Sequence, residues 1–265
     1  MKPKKILLGL GLVTALLVSG CSNQQKKTEP VLTKTAVIKR SQKSFKSGQV
    51  KQVVDLNTDT SSQSVASIFT FGGEPTIVHL NYETKNKNKS QRAEEWVSNT
   101  GTTYINGQST WYKADLGKMT GHSYADVLDA IFNNEMLMAP PKDLVKAYQM
   151  KRKGNTYTLT ATLKDKKIMQ EAVKPIFLTN TQSPKQTKIY QRLGKEGKFK
   201  NMQVKLVVKN GHLLSFKYFV NMRIGKLMTL RTGQVYSNMR SRDFLKIPDN
   251  VLNAKPLPKD KQDKK

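Results

Sequence analysis

The sequence predicts an α+β fold: an antiparallel meander of strands with a leading helix and further helices inserted in its middle. Three observations carry this. From Gly48 to Lys113, short apolar segments alternate with turn signals at Gly72-Gly73 with Pro75, at Gly101 and at Asn106-Gly107. From Gly117 to Tyr148, the apolar spacing changes to the 3.6-residue period of a helix. From Asn155 onward, strict two-residue alternation returns.

The chain opens on Lys2, Lys4 and Lys5, followed by an apolar run from Ile6 to Val18. About thirteen apolar residues are too few to span a bilayer, which takes about twenty, and they suit the central region of an export signal. The run ends at Leu17-Val18-Ser19-Gly20-Cys21, which contains the single cysteine of the 265 residues. This stretch resembles a bacterial lipobox. The resemblance implies cleavage between Gly20 and Cys21 and a diacylglycerol on the Cys21 sulfur. The expected place is therefore the outer face of the cytoplasmic membrane, lipid-anchored and extracytoplasmic. With Cys21 acylated, no thiol remains for a disulfide. The expected partition is 1–20 signal peptide, 21–30 lipidated cysteine and flexible tether, 31–254 folded domain, and 255–265 basic disordered tail.

Within the domain, Leu32, Ala36, Val37 and Phe45 mark an amphipathic helix over 31–45. Strands follow at 50–56, 65–71, 76–82, 92–98, 102–105 and 110–113. Asn106-Gly107 predicts a tight hairpin, since both residues tolerate positive φ. Tyr124, Val127, Leu128, Ile131 and Phe132 share a helix face, with Ser123 as N-cap and Asp126 three residues on. Pro140-Pro141 stops that helical stretch, and Leu144, Val145 and Tyr148 give a second short helix. Tyr157, Leu159, Ala161 and Leu163 alternate with threonines as a strand. A helix over 166–177 should kink or end early at Pro175. Three strands fill 198–239, with Asn210-Gly211 as a hairpin turn, and Phe244 to Pro248 reads as a final short edge strand.

The order of elements, with Val53-Val54-Asp55-Leu56, Thr102-Thr103-Tyr104-Ile105-Asn106-Gly107, Thr110-Trp111-Tyr112-Lys113 and Ile247-Pro248, resembles Gram-positive lipoproteins. These share the fold of the lipoprotein carrier LolA and of the mycobacterial LppX/LprG group, and the closest likeness is to the uncharacterised DUF6612 family. The resemblance covers roughly residues 31 to 254. It implies a curved half-barrel sheet around an apolar cavity, with the leading and inserted helices covering the concave face. In the better-known relatives that cavity holds acyl chains. No catalytic residues come with it.

Two readings of the apolar stripes remain open. Tyr124, Ile131, Phe132, Met136, Met138 and Phe177, with Phe216, Tyr218, Val220 and Met222, either form a solid core or line a cavity for a lipid or other amphiphile. Methionine is flexible and polarizable, which suits a lining that adapts to varied chains. A second surface is basic. The net charge is +27, and losing the three lysines of the signal leaves +24. Lys205, Lys209, Lys217, Arg223 and Arg231 fall on strand positions opposite the apolar set, so anionic lipid headgroups, wall polymers or a protein partner are expected there. Nucleic acid is not, because Phe219 is the one aromatic interleaved with these cations.

Catalysis and metal binding are not expected. His79, His122 and His212 lack ligand spacing. Asp126 and Asp129 share a solvated helix face, and Glu94 and Glu95 point to opposite sides of a strand. Nucleophile-elbow, phosphate-loop and dinucleotide glycine motifs are all missing. The sequence thus calls for neither enzyme activity nor a cofactor.

Overall fold

The computed structural model describes residues 30–43, 45–86, 89–132, 134–179 and 184–258. The expectations placed on the signal peptide, on Gly20 and Cys21, and on the tether up to residue 29 lie outside the described residues.

The fold is α+β, organised on one open, curved sheet of twelve strands in the order β12-β6-β5-β4-β3-β2-β1-β11-β10-β9-β8-β7. Two meanders make it. The first is β1 (Gly48–Asn57), β2 (Ser62–Gly72), β3 (Ile77–Asn86), β4 (Lys89–Val97), β5 (Thr102–Asn106) and β6 (Trp111–Asp115). The second is β7 (Gln149–Lys153), β8 (Thr156–Leu163), β9 (Lys198–Lys209), β10 (His212–Ile224) and β11 (Met228–Ser237). They join where β1 pairs antiparallel with β11, from Gln49↔Ser237 to Asn57↔Thr229. β12 (Lys255–Pro256) runs parallel to β6 at the far edge.

Helices cover one face. α1 (Lys34–Gln42) is capped by Thr33, whose hydroxyl accepts from the Ala36 amide at 3.2 Å, and it packs on β10 through a buried side that includes Val37 and Ile38. Between β6 and β7 lie α2 (Leu116–Thr120), α3 (Tyr124–Phe132), α4 (Glu135–Met138) and α5 (Lys142–Ala147). α3 starts on the expected box: the Ser123 amide donates to Asp126 Oδ2 at 2.7 Å, and the Asp126 amide donates back to Ser123 Oγ at 3.2 Å. α6 (Lys166–Thr179) lies across β9, β10 and β11, and α7 (Pro184–Glu196) packs on α6. The main core fills the space between this layer and the inward side chains of alternating strands, such as Val50 and Val54 on β1 and Met202, Val204, Leu206 and Val208 on β9.

A second, smaller core lies on the opposite face of the sheet. Ile77, Trp96 and Tyr104 are covered there by Val251 and Ala254, with Leu245, Ile247 and Trp111 packed around them. The C-terminal segment, including α8 (Asp249–Leu252), crosses back to make this cover.

Several expectations need correction. Residues 244–248 form no strand; this stretch leads into α8, and its Leu245 and Ile247 pack into the second core instead of pairing. The tail is ordered at its start: Lys255 and Pro256 pair with Tyr112 and Lys113, and the Leu257 amide donates to the Lys113 carbonyl at 3.0 Å. α6 runs on to Thr179 through Pro175, where the Thr179 hydroxyl hydrogen-bonds the Pro175 carbonyl at 2.8 Å. Asn210 and Gly211 take φ of 52° and 76° in the expected two-residue turn. Asn106-Gly107 instead opens a four-residue loop in which Gln108 takes φ 76°, its amide donating to Asn106 Oδ1 at 2.9 Å.

Candidate functional site

The ten residues singled out for a cavity converge. Phe216, Tyr218, Val220 and Met222 project inward from β10, Tyr124, Ile131 and Phe132 come from α3, Met136 and Met138 from α4, and Phe177 from α6; all belong to the main core. Phe216, Tyr218 and Val220 are fully buried. Phe132 packs edge-on against Phe71 at 4.9 Å, and the Tyr124 hydroxyl donates to the Thr76 carbonyl.

A buried polar network runs through this core. The Gln234 amide donates to Gln52 Oε1 at 2.8 Å, and Gln52 Nε2 donates to Thr179 Oγ1 at 2.8 Å. Asn134 Nδ2 donates to Gln234 Oε1 at 2.6 Å and approaches the Tyr218 and Tyr236 hydroxyls at 3.2 Å each. The Tyr218 hydroxyl lies 2.7 Å from Gln234 Oε1 and 2.9 Å from the Ala172 carbonyl. Burial pushes the Tyr218 phenol well above its usual range, with the neighbouring Tyr236 adding to the effect and the Asn134 hydrogen bond opposing it. Burial raises Tyr236 likewise. The network is neutral, and it ties α4 and α6 to the β1–β11 seam. Sequence reasoning passed over Gln52, Asn134, Thr179, Gln234 and Tyr236. The signal was there for the glutamines: each occupies an inward position of an alternating strand, where an apolar residue is the norm.

The strands of the sheet are divided by charge. β7 to β11 contain ten Lys or Arg and no Asp or Glu, whereas β1 to β6 contain five of each. All five predicted basic residues are exposed. Lys205 and Lys217 are direct register partners across β9 and β10. Like charges so placed repel, and among the described residues neither meets a carboxylate within ion-pair distance. Lys209 pairs with His212, Arg223 with Thr229, and Arg231 with Asn221.

Beside this basic half, a groove of about 400 Å³ runs across β11, β1, β2 and β3, with Phe219, Val53, Ala66 and Val235 as its apolar walls and Lys51, Lys85, Asp55, Glu83 and Arg231 among its polar ones. Phe219 lies flat over Gly233: a Cβ on that glycine would be 2.5 Å from the Phe219 ring and 2.1 Å from the Tyr218 carbonyl oxygen. The Arg231 guanidinium stacks 3.7 Å above the Phe219 ring and 3.5 Å from Asp55. Desolvation works to raise the Glu83 carboxyl, but hydrogen bonds and charge from Arg92 and Lys85 outweigh it and hold the group below its ordinary range.

The histidines lie apart. His79 stacks on Trp96 with ring centroids 4.0 Å apart and bonds Glu94 at 3.0 Å; His122 precedes α3 and His212 opens β10. Among the described residues, no group of three or more His, Cys, Asp or Glu side chains could hold a metal ion, and no helix is long and apolar enough to cross a membrane.

Solved structures similar to this chain include the MucA/MucB complex of Pseudomonas aeruginosa, at 10% identity over 82% of this chain and 62% of that one, with a TM-score of 0.24. MucB bound to MucA(peri) gives 9% identity, 84% and 62% coverage and a TM-score of 0.23. A β-barrel-like DUF1849 protein from Brucella abortus gives 9% identity over 74% of this chain and 99% of that one, with a TM-score of 0.20. The chain spans less than two thirds of the length of the first two. No curated protein sequence matches it. Over residues 27–256 the chain matches the profile of a family described as of unknown function, DUF6612, and it belongs to that family.

Proposed function

We propose that the chain is a non-enzymatic binding module of the cell envelope, held on the outer face of the cytoplasmic membrane by a diacylated Cys21, and that it grips an anionic, phosphate-bearing wall polymer along the outer face of β7 to β11. The observation that carries this is the charge division of the sheet: ten cations and no acid on five consecutive strands. Lys205 and Lys217 stand opposite each other at a cost in repulsion that a bound polyanion would remove. Residues 1–21 supply the case for export and anchoring, and two acyl chains would make that anchor stable.

The test is binding of residues 22–265 to poly(glycerol phosphate) at rising salt. Affinity should fall at least about tenfold between ~0.05 and ~0.5 M, and Lys205→Gln with Lys217→Gln should lower both the affinity and its salt slope. Salt-independent binding, or none from a folded chain, sinks this reading.

A second reading is an amphiphile in the concave face, favoured by the convergence of all ten predicted residues under α3, α4 and α6. For an acyl chain to enter, α6 must move and the hydrogen bonds around Gln234 must open. Organic extraction of the purified chain followed by mass spectrometry decides it. Stoichiometric lipid that is lost in Val220→Asp or Phe216→Asp, the variant remaining folded, establishes a lipid-binding cavity; no lipid removes it.

A further inference from the structure

The loop after β11 holds an aromatic side chain in solvent by a rigid construction. Phe244 is 92% exposed. Isolated exposed apolar residues are ordinary, but this loop is fastened at several points. The Arg240 amide donates to the Ser47 carbonyl at 2.8 Å, the Gly73 amide to the Arg242 carbonyl at 3.2 Å, and the Leu245 amide to the same carbonyl at 3.1 Å; Ser47 Oγ donates to Asp243. Asn238 and Arg240 take φ of 52° and 62°. Gly72 lets the loop approach so closely that a Cβ there would lie 2.0 Å from the Arg242 carbonyl oxygen. A fastened loop cannot fold Phe244 back onto the protein.

The sheet register shows what lies at the same end. β11 ends at Ser237 opposite Gln49, and β2 ends at Gly72 opposite Ile77. β10 begins there, with a bulge between Leu213 and Ser215 that leaves Leu214 54% exposed. The β9–β10 turn at Asn210-Gly211 and the β7–β8 turn at Gly154-Asn155 close the same end. Exposed cations accompany them: Lys46, Lys153, Lys209, Arg240 and Arg242, and Arg40, whose Cδ lies 3.8 Å from a Cβ built on Gly211. The acids beside the loop are Glu74 and Asp243, the latter already bonded to Ser47, and Asp115 closes β6 farther along the same end. The chain also enters the domain here, where the Leu32 amide donates to the hydroxyl of Tyr157, the second residue of β8, at 3.2 Å.

We propose that this end of the sheet docks on an anionic bilayer surface, with Phe244 and Leu214 entering the interface and the surrounding cations meeting lipid phosphates. An aromatic ring among basic side chains fits that boundary. Cys21 is eleven residues from Leu32, a reach of about 35–40 Å when extended, so a lipid anchored there keeps this end near the membrane and a weak docking contact is enough. The outer face of β7 to β11 then stands clear of the bilayer, free for the polymer proposed above. The two ideas share Lys153 and Lys209 but part at Phe244 and Leu214 on one side and at Lys205 and Lys217 on the other.

The experiment uses residues 22–265 without the acyl group, which retain every described helix and strand, and vesicles of phosphatidylglycerol and phosphatidylcholine. Phe244→Ser should lower vesicle partition about tenfold, the factor expected for one buried aromatic side chain, and Leu214→Ser should lower it less. In Phe244→Trp, the difference emission should shift to the blue on adding vesicles and be quenched by brominated acyl chains. Lys205→Gln with Lys217→Gln should leave partition within about twofold, and Phe244→Ser should keep wild-type binding to poly(glycerol phosphate). Unchanged partition in Phe244→Ser, an unmoved Trp emission, or a dimer in sedimentation velocity that Phe244→Ser dissolves would each overturn the membrane assignment.

Discussion

Gln52 on β1 and Gln234 on β11 face each other as register partners, and the Gln234 amide donates to the Gln52 carbonyl oxygen at 2.8 Å. This single bond crosses the line where the two meanders meet, and it shares its partners with Asn134, Thr179 and Tyr218. Replacing Gln234 by Leu should strand several buried donors at once. We expect a loss of about 2–4 kcal/mol, read from the urea midpoint, with Lys51→Ala on the outer side of the same seam within ~0.5 kcal/mol of wild type. Equal effects would mean that the network contributes nothing special.

The buried tyrosines set an alkaline limit. Tyr218 and Tyr236 hold their protons in the folded state above pH 10, their ordinary value, because burial disfavours the phenolate. In the unfolded chain they ionise near pH 10. The folded state therefore binds more protons above that pH, and the stability these groups contribute is present below it and lost as pH rises. Tyr236→Phe should flatten the fall in unfolding free energy above pH ~10 by up to about 1.4 kcal/mol per pH unit. Parallel curves for wild type and variant would refute this.

At Gly233 the sheet has no room for a side chain, since both the Tyr218 carbonyl and the Phe219 ring stand within 2.5 Å of an added Cβ. Gly233→Ala should cost about 2–3 kcal/mol and tilt Phe219 away from Arg231. Thermal denaturation checks the first effect. The second should appear as a shift of the Phe219 ring resonances, and a variant as stable as wild type would show that the backbone yields.

Pro175 leaves the Glu171 carbonyl without its usual helical donor inside α6. Pro175→Ala restores that donor and should stabilise the fold by about 1–2 kcal/mol. A lower melting temperature would mean that the half-buried ring contributes packing worth more than the missing bond.

These effects also explain what could be read from the sequence. Tyr157 to Leu163 and Phe216 to Met222 were legible because each strand buries one face and wets the other, so their pattern has period two. β7 was not: it is the sheet's edge, and its sequence Gln149-Met150-Lys151-Arg152-Lys153 offers one apolar side chain. Pro175 does not end α6, because propensity speaks of isolated helices, while α6 is held by Ile168, Met169, Ala172, Val173 and Ile176 in the core. The segment 244–248 looked like a strand because Leu245 and Ile247 alternate, yet that alternation serves a second core which only the return of the C-terminus creates. The sequence marks the five basic positions one by one, and each is exposed in the structure. The acid-free half-sheet needed the strand order, which brings 149–163 beside 198–237.

The joining of the first strand to the eleventh has a consequence for how the molecule assembles. Gln52 waits for a partner 182 residues later in the chain, so one edge of β1 stays open through most of synthesis. Closing so long a loop makes assembly slow, and the first meander must persist meanwhile with a bare strand edge. The six-strand half is therefore the species most exposed to self-association, and a chain truncated before β11 should collect as aggregate rather than as a smaller folded protein.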